Sequence, residues 1–119
     1  MNHTEAILEI IEVIPEYKTE FEEVYKTKNP FMVINVFTRQ IRNLIKKSET
    51  KKLVSSLQKM DELYQKGDLA LKNAVENVFV YSLDSLTFSC KPSYKNLIFS
   101  RIPSGLHQVY LHQVYKSGL

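Results

Sequence analysis

A helix stop and a helix start stand side by side at Gly67 and Asp68, and a long apolar helix pattern follows them. Glycine favours the end of a helix, and aspartate favours the N-cap of the next one. Helical spacing then gives a face too broad for a helix that lies on the surface, so the pattern predicts a helix at the centre of a packed bundle. The positions on this face are Leu71, Ala74, Val75, Val78, Phe79, Ser82, Leu83 and Leu86.

The chain length and composition predict one all-α domain that covers residues 1–119. Apolar residues make up 44% of the chain and charged residues 24%, which are ordinary values for a globular protein and exclude a disordered one. Helix signals recur along the whole chain. Together they predict a single-domain antiparallel helical bundle of about five to seven helices.

Helix signals and prolines divide the first half of the chain into three predicted helices. Thr4 is the expected N-cap of the first, and Pro15 breaks that helix and begins the second. Asn29 is the expected cap of the third helix, which Pro30 begins. The predicted buried faces are Ile7, Ile10, Ile11 and Ile14 in the first helix, Tyr17, Phe21, Val24 and Tyr25 in the second, and Val33, Ile34, Phe37, Ile41, Leu44 and Ile45 in the third.

The second half of the chain begins with a fourth predicted helix, which ends at Gly67 and precedes the central one. Beyond Leu86 the signals weaken, and residues 89–93 and 101–105 are predicted loops. A short helix between these loops and a last helix after them are expected. A hairpin around residues 103–105 stays open as an alternative, so segment 93–119 is either helical or a hairpin.

Charge is distributed unevenly along a chain whose net charge is only +3. Residues 1–24 contain seven Glu and one Lys, whereas residues 25–119 contain fifteen Lys or Arg and six acids. The two parts either attract each other within the fold or present surfaces of opposite sign to partners.

Compartment and membrane signals favour a cytoplasmic protein. Cys90 is the single cysteine, so no internal disulfide can form and a reducing compartment is expected. Glu5, Glu9 and Glu12 interrupt the first apolar segment, and it lacks the basic start of a secretory signal. No uncharged apolar run reaches the roughly 18 residues that a membrane span needs, so we expect no membrane partner.

Three stretches resemble an uncharacterised family of small all-helical bacterial proteins. They are Ile10-Ile-Glu-Val-Ile-Pro15-Glu-Tyr, then Phe21-Glu-Glu, and then Gly67-Asp68 ahead of Asn73-Ala-Val-Glu-Asn-Val-Phe79. The resemblance covers about residues 5–86 and implies an all-helical fold without an established activity. Some similar proteins look like immunity proteins, which bind and block a partner toxin.

The sequence contains no recognisable catalytic or cofactor-binding constellation. His3, His107 and His112 have neither the spacing of a di-iron bundle nor a shared helical face, so no metal site is expected. Cys90 lacks the local signature of a nucleophile and is expected to be inert. There is no glycine-rich phosphate loop. We expect a non-enzymatic protein without a cofactor, and an enzyme of unrecognised type is the third alternative.

The leading hypothesis is a protein-interaction module, possible forms being an immunity-like protein or a homodimer. Its contacts would come from an acidic face or from tyrosines near the C-terminus, because Tyr suits interfaces. The acidic face comprises Glu9, Glu12, Glu20 and Glu23, and the C-terminal tyrosines are Tyr110 and Tyr115.

The alternative hypothesis is a nucleic-acid-associated protein. A cluster of cations, here named the basic tip, spans the end of the third predicted helix and the start of the fourth. Such a cluster could hold phosphates, although no helix-turn-helix signature accompanies it. The basic tip comprises Arg39, Arg42, Lys46, Lys47, Lys51 and Lys52.

Overall fold

Seven helices and no strands make up residues 1–118, the part of the chain that the structure, a computed structural model, describes. This confirms the predicted all-α helical bundle. Leu119, the last residue of the predicted domain, lies outside the described residues. The helices are α1 His3–Val13, α2 Lys18–Tyr25, α3 Pro30–Lys46, α4 Thr50–Lys66, α5 at residues 69–87, α6 Pro92–Arg101 and α7 Ser104–Gly118.

Helix α1 begins two residues earlier than the sequence predicts, so the prediction of Thr4 as N-cap is wrong. The Asn2 side chain accepts a hydrogen bond from the Glu5 backbone N–H at 2.9 Å. The Glu5 carboxylate in turn accepts from the Asn2 backbone N–H at 3.2 Å. This reciprocal capping box satisfies two backbone N–H groups. Thr4 could not form such a box, because the residue three positions after it is Ile7.

The prolines act as the sequence predicts. Pro15 follows α1 and opens a single 3₁₀ turn, Pro15–Tyr17, that leads into α2. Asn29 caps α3 by accepting from the Phe31 backbone N–H at 2.9 Å, and Pro30 is the first residue of the helix. One prediction in this region is wrong: Tyr25, expected in the core, is 49% exposed. The short α2 buries Phe21 and Val24, and Tyr25 follows Val24 on a different side of the helix.

Helix α3 contacts four of the other six helices. It packs against α1, α2, α4 and α5, while α1 also packs against α4. Such a position requires a helix that is apolar on more than one side. The buried residues of α3 are Val33, Ile34, Val36, Phe37, Thr38, Gln40, Ile41, Leu44 and Ile45.

Helix α5 is not a regular α-helix throughout. The segment Leu69–Ala74 is α-helical, Val75–Phe79 is a π-helix, Val80–Ser82 is a 3₁₀ turn, and Leu83–Thr87 is α-helical again. A π segment inserts one residue into the helical repeat and so rotates everything that follows.

This rotation changes which side chains of α5 are buried. Val80 and Thr87 are buried, whereas Val78 and Ser82 are only half-buried. Val78 still packs against the core as predicted, but the predicted face omits Val80 and Thr87, because it assumed one uninterrupted period of 3.6 residues. Phe79 and the later Leu83 and Leu86 remain in the core as predicted.

Segment 93–118 is helical, so the hairpin alternative is wrong for the described residues. Helix α6 packs against α4, and α7 packs against α4 and the 3₁₀ part of α5. Gln113 of α7 donates its side-chain amide to the Glu76 backbone carbonyl at 2.9 Å, within the π segment of α5. Tyr110 of α7 donates its hydroxyl to Asp84 at 2.7 Å. Within the described chain, no helix has both the length and the apolar character needed to cross a membrane.

The junction between α4 and α5 depends on the small size of Gly67. Its backbone is extended, with φ −70° and ψ 156°, and is not in the left-handed region that usually explains a terminal glycine. A Cβ atom at this position would lie 2.4 Å from the Leu63 carbonyl oxygen and 2.9 Å from Leu71 Cδ2. The constraint on this residue is therefore space.

We expect Gly67→Ala to lower the free energy of unfolding by about 2 kcal/mol, since overpacking against backbone cannot be relieved by a side-chain rotation. Urea unfolding followed by circular dichroism measures this loss. The matched control is Gly105→Ala, whose Cβ would meet only the ends of two side chains that can rotate away, Gln65 Nε2 at 2.7 Å and Asp61 Oδ1 at 3.4 Å. Equal stabilities of the two variants would show that the backbone of the α4–α5 junction can shift to accommodate a Cβ atom at little cost in free energy.

The contact between α7 and α5 should depend on pH. Burial and the hydrogen bond to the Asp84 carboxylate raise the pKa of Tyr110 to about 12. Only the neutral phenol donates this bond. Its contribution is complete below the unfolded tyrosine pKa of about 10 and is lost as the pH rises through the folded pKa.

We expect Tyr110→Phe to destabilise the protein by about 1 kcal/mol at neutral pH, because it removes a hydrogen bond to a charged group. The difference from wild type should shrink as the pH rises from about 10 to 12. Unfolding midpoints in urea across this range test the effect. Tyr115→Phe, at a residue that is 65% exposed, is the control and should change nothing. A pH-independent loss in Tyr110→Phe would contradict the assignment.

Candidate functional site

Ion pairs join the acidic first helices to the basic helices that follow. Glu16 lies 3.1 Å from Lys52 Nζ. Glu20 of α2 pairs with Arg39 of α3 and also accepts a hydrogen bond from the buried Gln40. The acidic and basic parts of the chain therefore attract each other within the fold.

Lys59 of α4 is the most enclosed cation in this set. Its Nζ lies 2.9 Å from Glu9 of α1 and 3.0 Å from Glu62, and its side chain is only 11% exposed. Burial lowers the pKa of Lys59, but the hydrogen bonds to Glu9 and Glu62 outweigh burial and leave the pKa above its ordinary value. The ion pair between Lys59 and Glu9 holds α1 against α4.

We expect Lys59→Ala to lower the free energy of unfolding by about 2 kcal/mol, because it leaves two partly buried carboxylates without their shared cation. The control is Lys26→Ala. Lys26 also pairs with a glutamate, Glu23 at 3.3 Å, but its side chain is 72% exposed, so its loss should cost less than about 0.5 kcal/mol. Urea unfolding at low salt compares the two. Equal losses would mean that burial does not strengthen the α1–α4 pair.

The predicted acidic face is thus divided into paired and unpaired carboxylates. Glu9 and Glu20 are held by cations of α4 and α3, and Glu23 is paired with the nearby Lys26. Glu12 is exposed and has no ion pair within the described residues. The part of this face that stays available to a partner is therefore the outer side of α1 around Glu12.

Beside Glu12 lies a small apolar cleft between α1 and α2, here named the α1–α2 cleft. Its volume is about 210 Å³. Leu8, 64% exposed, and the half-exposed Tyr25 open onto it, with Ile11 between them on its wall. The residues that line it are Thr4, Ile7, Leu8, Ile11, Lys18, Glu22 and Tyr25.

The predicted basic tip is likewise divided. Arg39 and Lys52 are neutralised by Glu20 and Glu16. The other members are exposed and form no ion pair within the part of the chain that the structure describes. These unpaired cations are Arg42, Lys46, Lys47 and Lys51.

Two of the unpaired cations open onto a cavity of about 590 Å³, here named the basic cleft. It lies between the end of α3, the end of α5 and the start of α6. Lys91 adds a third cation from the α5–α6 connection, and Ile45 and Leu86 form a buried apolar floor. The residues that line it are Arg42, Ile45, Lys46, Ser48, Ser85, Leu86, Ser89, Cys90, Lys91, Ser93 and Tyr94.

Local backbone structure shapes the rim of the basic cleft. Helix α3 ends at Lys46, and Ser48 just beyond it lies in the left-handed region, at φ 54°. The Glu49 N–H donates to the Leu44 carbonyl at 3.0 Å and so closes the end of the helix. Helix α6 begins at the opposite rim, and its N-cap residue Lys91 makes no side-chain cap. Tyr94 is held in place by a 3.3 Å hydrogen bond between its hydroxyl and that of Thr50.

The two C-terminal tyrosines have different environments. Tyr110 is half-buried, bonds to Asp84 and packs its ring on Phe99 with centroids 5.2 Å apart. Its visible role is to attach α7 to the bundle. Tyr115 is exposed on the outer side of α7 together with Leu111. Of the predicted pair, Tyr115 is therefore the one that is open to a partner or a second copy.

The described histidine, cysteine and carboxylate side chains do not converge. Within residues 1–118, no group of three or more of them is placed to hold a metal ion. Cys90 is a free, half-buried thiol on the wall of the basic cleft. His107 is half-buried, with its ring 6.3 Å from that of Tyr110.

Sequence reasoning missed several residues of both clefts. Leu8 lies outside the Ile7, Ile10, Ile11 and Ile14 stripe, and an apolar residue off the buried stripe was the available signal for it. Lys91 lies in a predicted loop remote in sequence from the basic tip. Nothing in local spacing connects it to Arg42 or Lys46, because the fold alone brings them together.

Comparison with known proteins identifies the family. A family model described as "Domain of unknown function (DUF7674)" matches residues 7–116, nearly the whole chain. The chain therefore belongs to this family. No curated protein and no solved structure matches it.

Proposed function

We propose that this chain, as a member of a family of unknown function, is a non-enzymatic protein-interaction module that binds a basic amphipathic helix of a partner protein. The observation that carries the proposal is the α1–α2 cleft, where Leu8 and Tyr25 expose apolar surface beside an unpaired carboxylate. Clustered apolar side chains with a polar rim are typical of protein-binding surfaces.

The cleft is suited in size to one or two apolar side chains of a partner. Its wall is almost entirely apolar, from Leu8, Ile11 and Tyr25. A partner helix that inserts such side chains removes exposed hydrocarbon from water on both molecules, at roughly 25 cal/mol per Å². Helices present apolar anchors in this way to grooves on other proteins.

The rim determines the sign of charge that the partner should have. Lys18 and Glu22 line the cleft and pair with each other at 4.0 Å, so the uncompensated negative charge near it comes from Glu5 and Glu12. Glu5 and Glu12 lie three residues before and four residues after Leu8, so they flank it on α1. Lysines or arginines beside the partner's apolar anchors would meet these carboxylates and raise the rate of association.

A binding role is favoured over catalysis by the state of the carboxylates. Glu9, Glu16 and Glu20 are held in ion pairs with cations of other helices. A general acid or base would require a carboxylate kept free in an enclosed site. We place the protein in the cytoplasm, since its one cysteine suits a reducing compartment.

The immunity-like form is the finer version of this proposal. It rests on the resemblance to small bacterial helical proteins and is an analogy. Proteins that act on nucleic acids carry basic surfaces, so an acid-rimmed apolar cleft has the right charge to cover one. In this form the partner would be a toxin that acts on nucleic acids and carries a basic surface.

Nucleic-acid association through the basic tip is the second candidate. The observation in its favour is that Arg42, Lys46, Lys47 and Lys51 are exposed and unpaired among the described residues. Against it, two cations of the predicted tip are neutralised, which shortens the row available to a phosphate backbone.

The proposal is tested by capture of partners from the native host, in nuclease-treated and untreated halves, with quantitative mass spectrometry. We expect wild type to retain a stoichiometric protein in both halves. Leu8→Asp should retain about tenfold less, because a buried carboxylate in the cleft costs at least 1.4 kcal/mol. Glu12→Lys should also weaken capture, and more so at low salt.

The matched controls are Leu69→Asp, at a leucine that is 74% exposed on another helix, and Glu49→Lys in the α3–α4 connection. Both should capture as wild type does. Equal capture by Leu8→Asp, or no stoichiometric protein with wild type, would overturn the cleft as the binding site. Capture that disappears on nuclease treatment would favour the second candidate.

A further inference from the structure

We infer that the basic cleft binds a small organic phosphate, with the phosphate held by Arg42, Lys46 and Lys91 over the apolar floor. This site is separate from the α1–α2 cleft and does not depend on it. The three cations come from two segments that are about 45 residues apart in the chain, yet they line one cavity. Their convergence is the central observation.

The charge around the cleft is unbalanced in favour of an anion. Within residues 1–118, Arg42, Lys46 and Lys91 form no ion pair, and no carboxylate lines the cavity. The nearby cations Arg39 and Lys52 are neutralised by glutamates, so the fold leaves uncompensated positive charge at this cavity. Cations that share a cavity raise the local concentration of anions.

The donors around the cleft suit a phosphate better than a single carboxylate. Arginine offers a planar pair of N–H donors, and the two lysines add point charges that match a dianion. Ser48, Ser89 and Ser93 also line the cavity and add hydroxyl groups as neutral donors. A phosphate monoester has enough oxygens to use several of these groups at once, whereas a carboxylate has only two.

The N-terminus of α6 supplies a further hydrogen-bond donor at the rim that Lys91 forms. By the geometry of a helix, the Ser93 backbone N–H has no acceptor within α6. Lys91 at the N-cap offers no side-chain acceptor to this end of the helix. An anion in the cleft would complete the cap and interact favourably with the helix dipole.

The floor and the size of the cavity favour a ligand with an organic body. Ile45 and Leu86 provide buried apolar surface, and the half-buried ring of Tyr94 stands beside them. The volume of about 590 Å³ falls in the range of small-ligand sites. A nucleic-acid strand would instead need cations in a row along its backbone, and the pairing of Arg39 and Lys52 interrupts that row.

The test is titration of the ¹⁵N-labelled full chain with adenosine 5′-monophosphate, inorganic phosphate and adenosine, followed by NMR. We expect the nucleotide to shift the amide signals around Ser48 and Ser89–Ser93 and to bind at least about tenfold more tightly than either part alone. As a second readout, the nucleotide should slow alkylation of Cys90 by neutral iodoacetamide, because this thiol lines the cleft.

Charge reversal locates the site. Lys46→Glu and Lys91→Glu should each weaken nucleotide binding by about tenfold or more. The control Lys28→Glu makes the same change of charge before the start of α3, a helix-length of about 25 Å from Lys46, and should bind as wild type does.

Three outcomes would overturn the inference. The first is no shift with any phosphate probe up to about 10 mM, which corresponds to negligible affinity. The second is equal binding by Lys46→Glu and Lys28→Glu. The third is tight binding of a 12-nucleotide single strand by a chain that ignores the mononucleotide, which would assign the cations to nucleic acid.

Discussion

The fold depends on the burial of α3 on more than one of its sides. Phe37, Ile41 and Leu44 are removed from water together with most of the helix, and each buried side chain of this size contributes roughly 1.5–3 kcal/mol. No single neighbour can cover such a helix, so α1, α2, α4 and α5 must all contact it. The places of these four helices follow from this requirement, whereas α6 and α7 are added against α4 and α5.

Polar interactions then arrange the charge of the molecule around that core. Gln40 is buried on α3, and its amide is satisfied by Glu20 of α2, which also binds Arg39. Ion pairs of this kind neutralise much of the acidic charge of the first helices, on the side that faces α3 and α4. The surplus positive charge remains at the far end of α3, and the surplus apolar surface remains on the outer side of α1 and α2.

Much of the fold could be predicted from local signals. Asn29 with Pro30, and Gly67 with Asp68, mark helix boundaries because cap chemistry depends on neighbours in sequence. The interruption in α5 could not be predicted, since Val75–Phe79 has no breaker residue and its distortion is matched by Gln113 from a distant helix.

The candidate sites were predicted less completely than the fold. Arg42 and Lys46 were identified from the charge pattern, and Glu12 from helical spacing. Tyr25 was assigned to the core because an aromatic residue on a helical face usually lies there. The pairing of Glu9 with Lys59 and the approach of Lys91 to Lys46 both depend on tertiary packing, which no single-sequence period encodes.

The π segment of α5 is also a point of attachment for the last helix. Its turn is wider than that of an α-helix and departs from the regular pairing of backbone groups four residues apart. The Glu76 carbonyl in this segment serves both the Val80 N–H and the side chain of Gln113. A single acceptor therefore couples the irregular turn of α5 directly to the last helix.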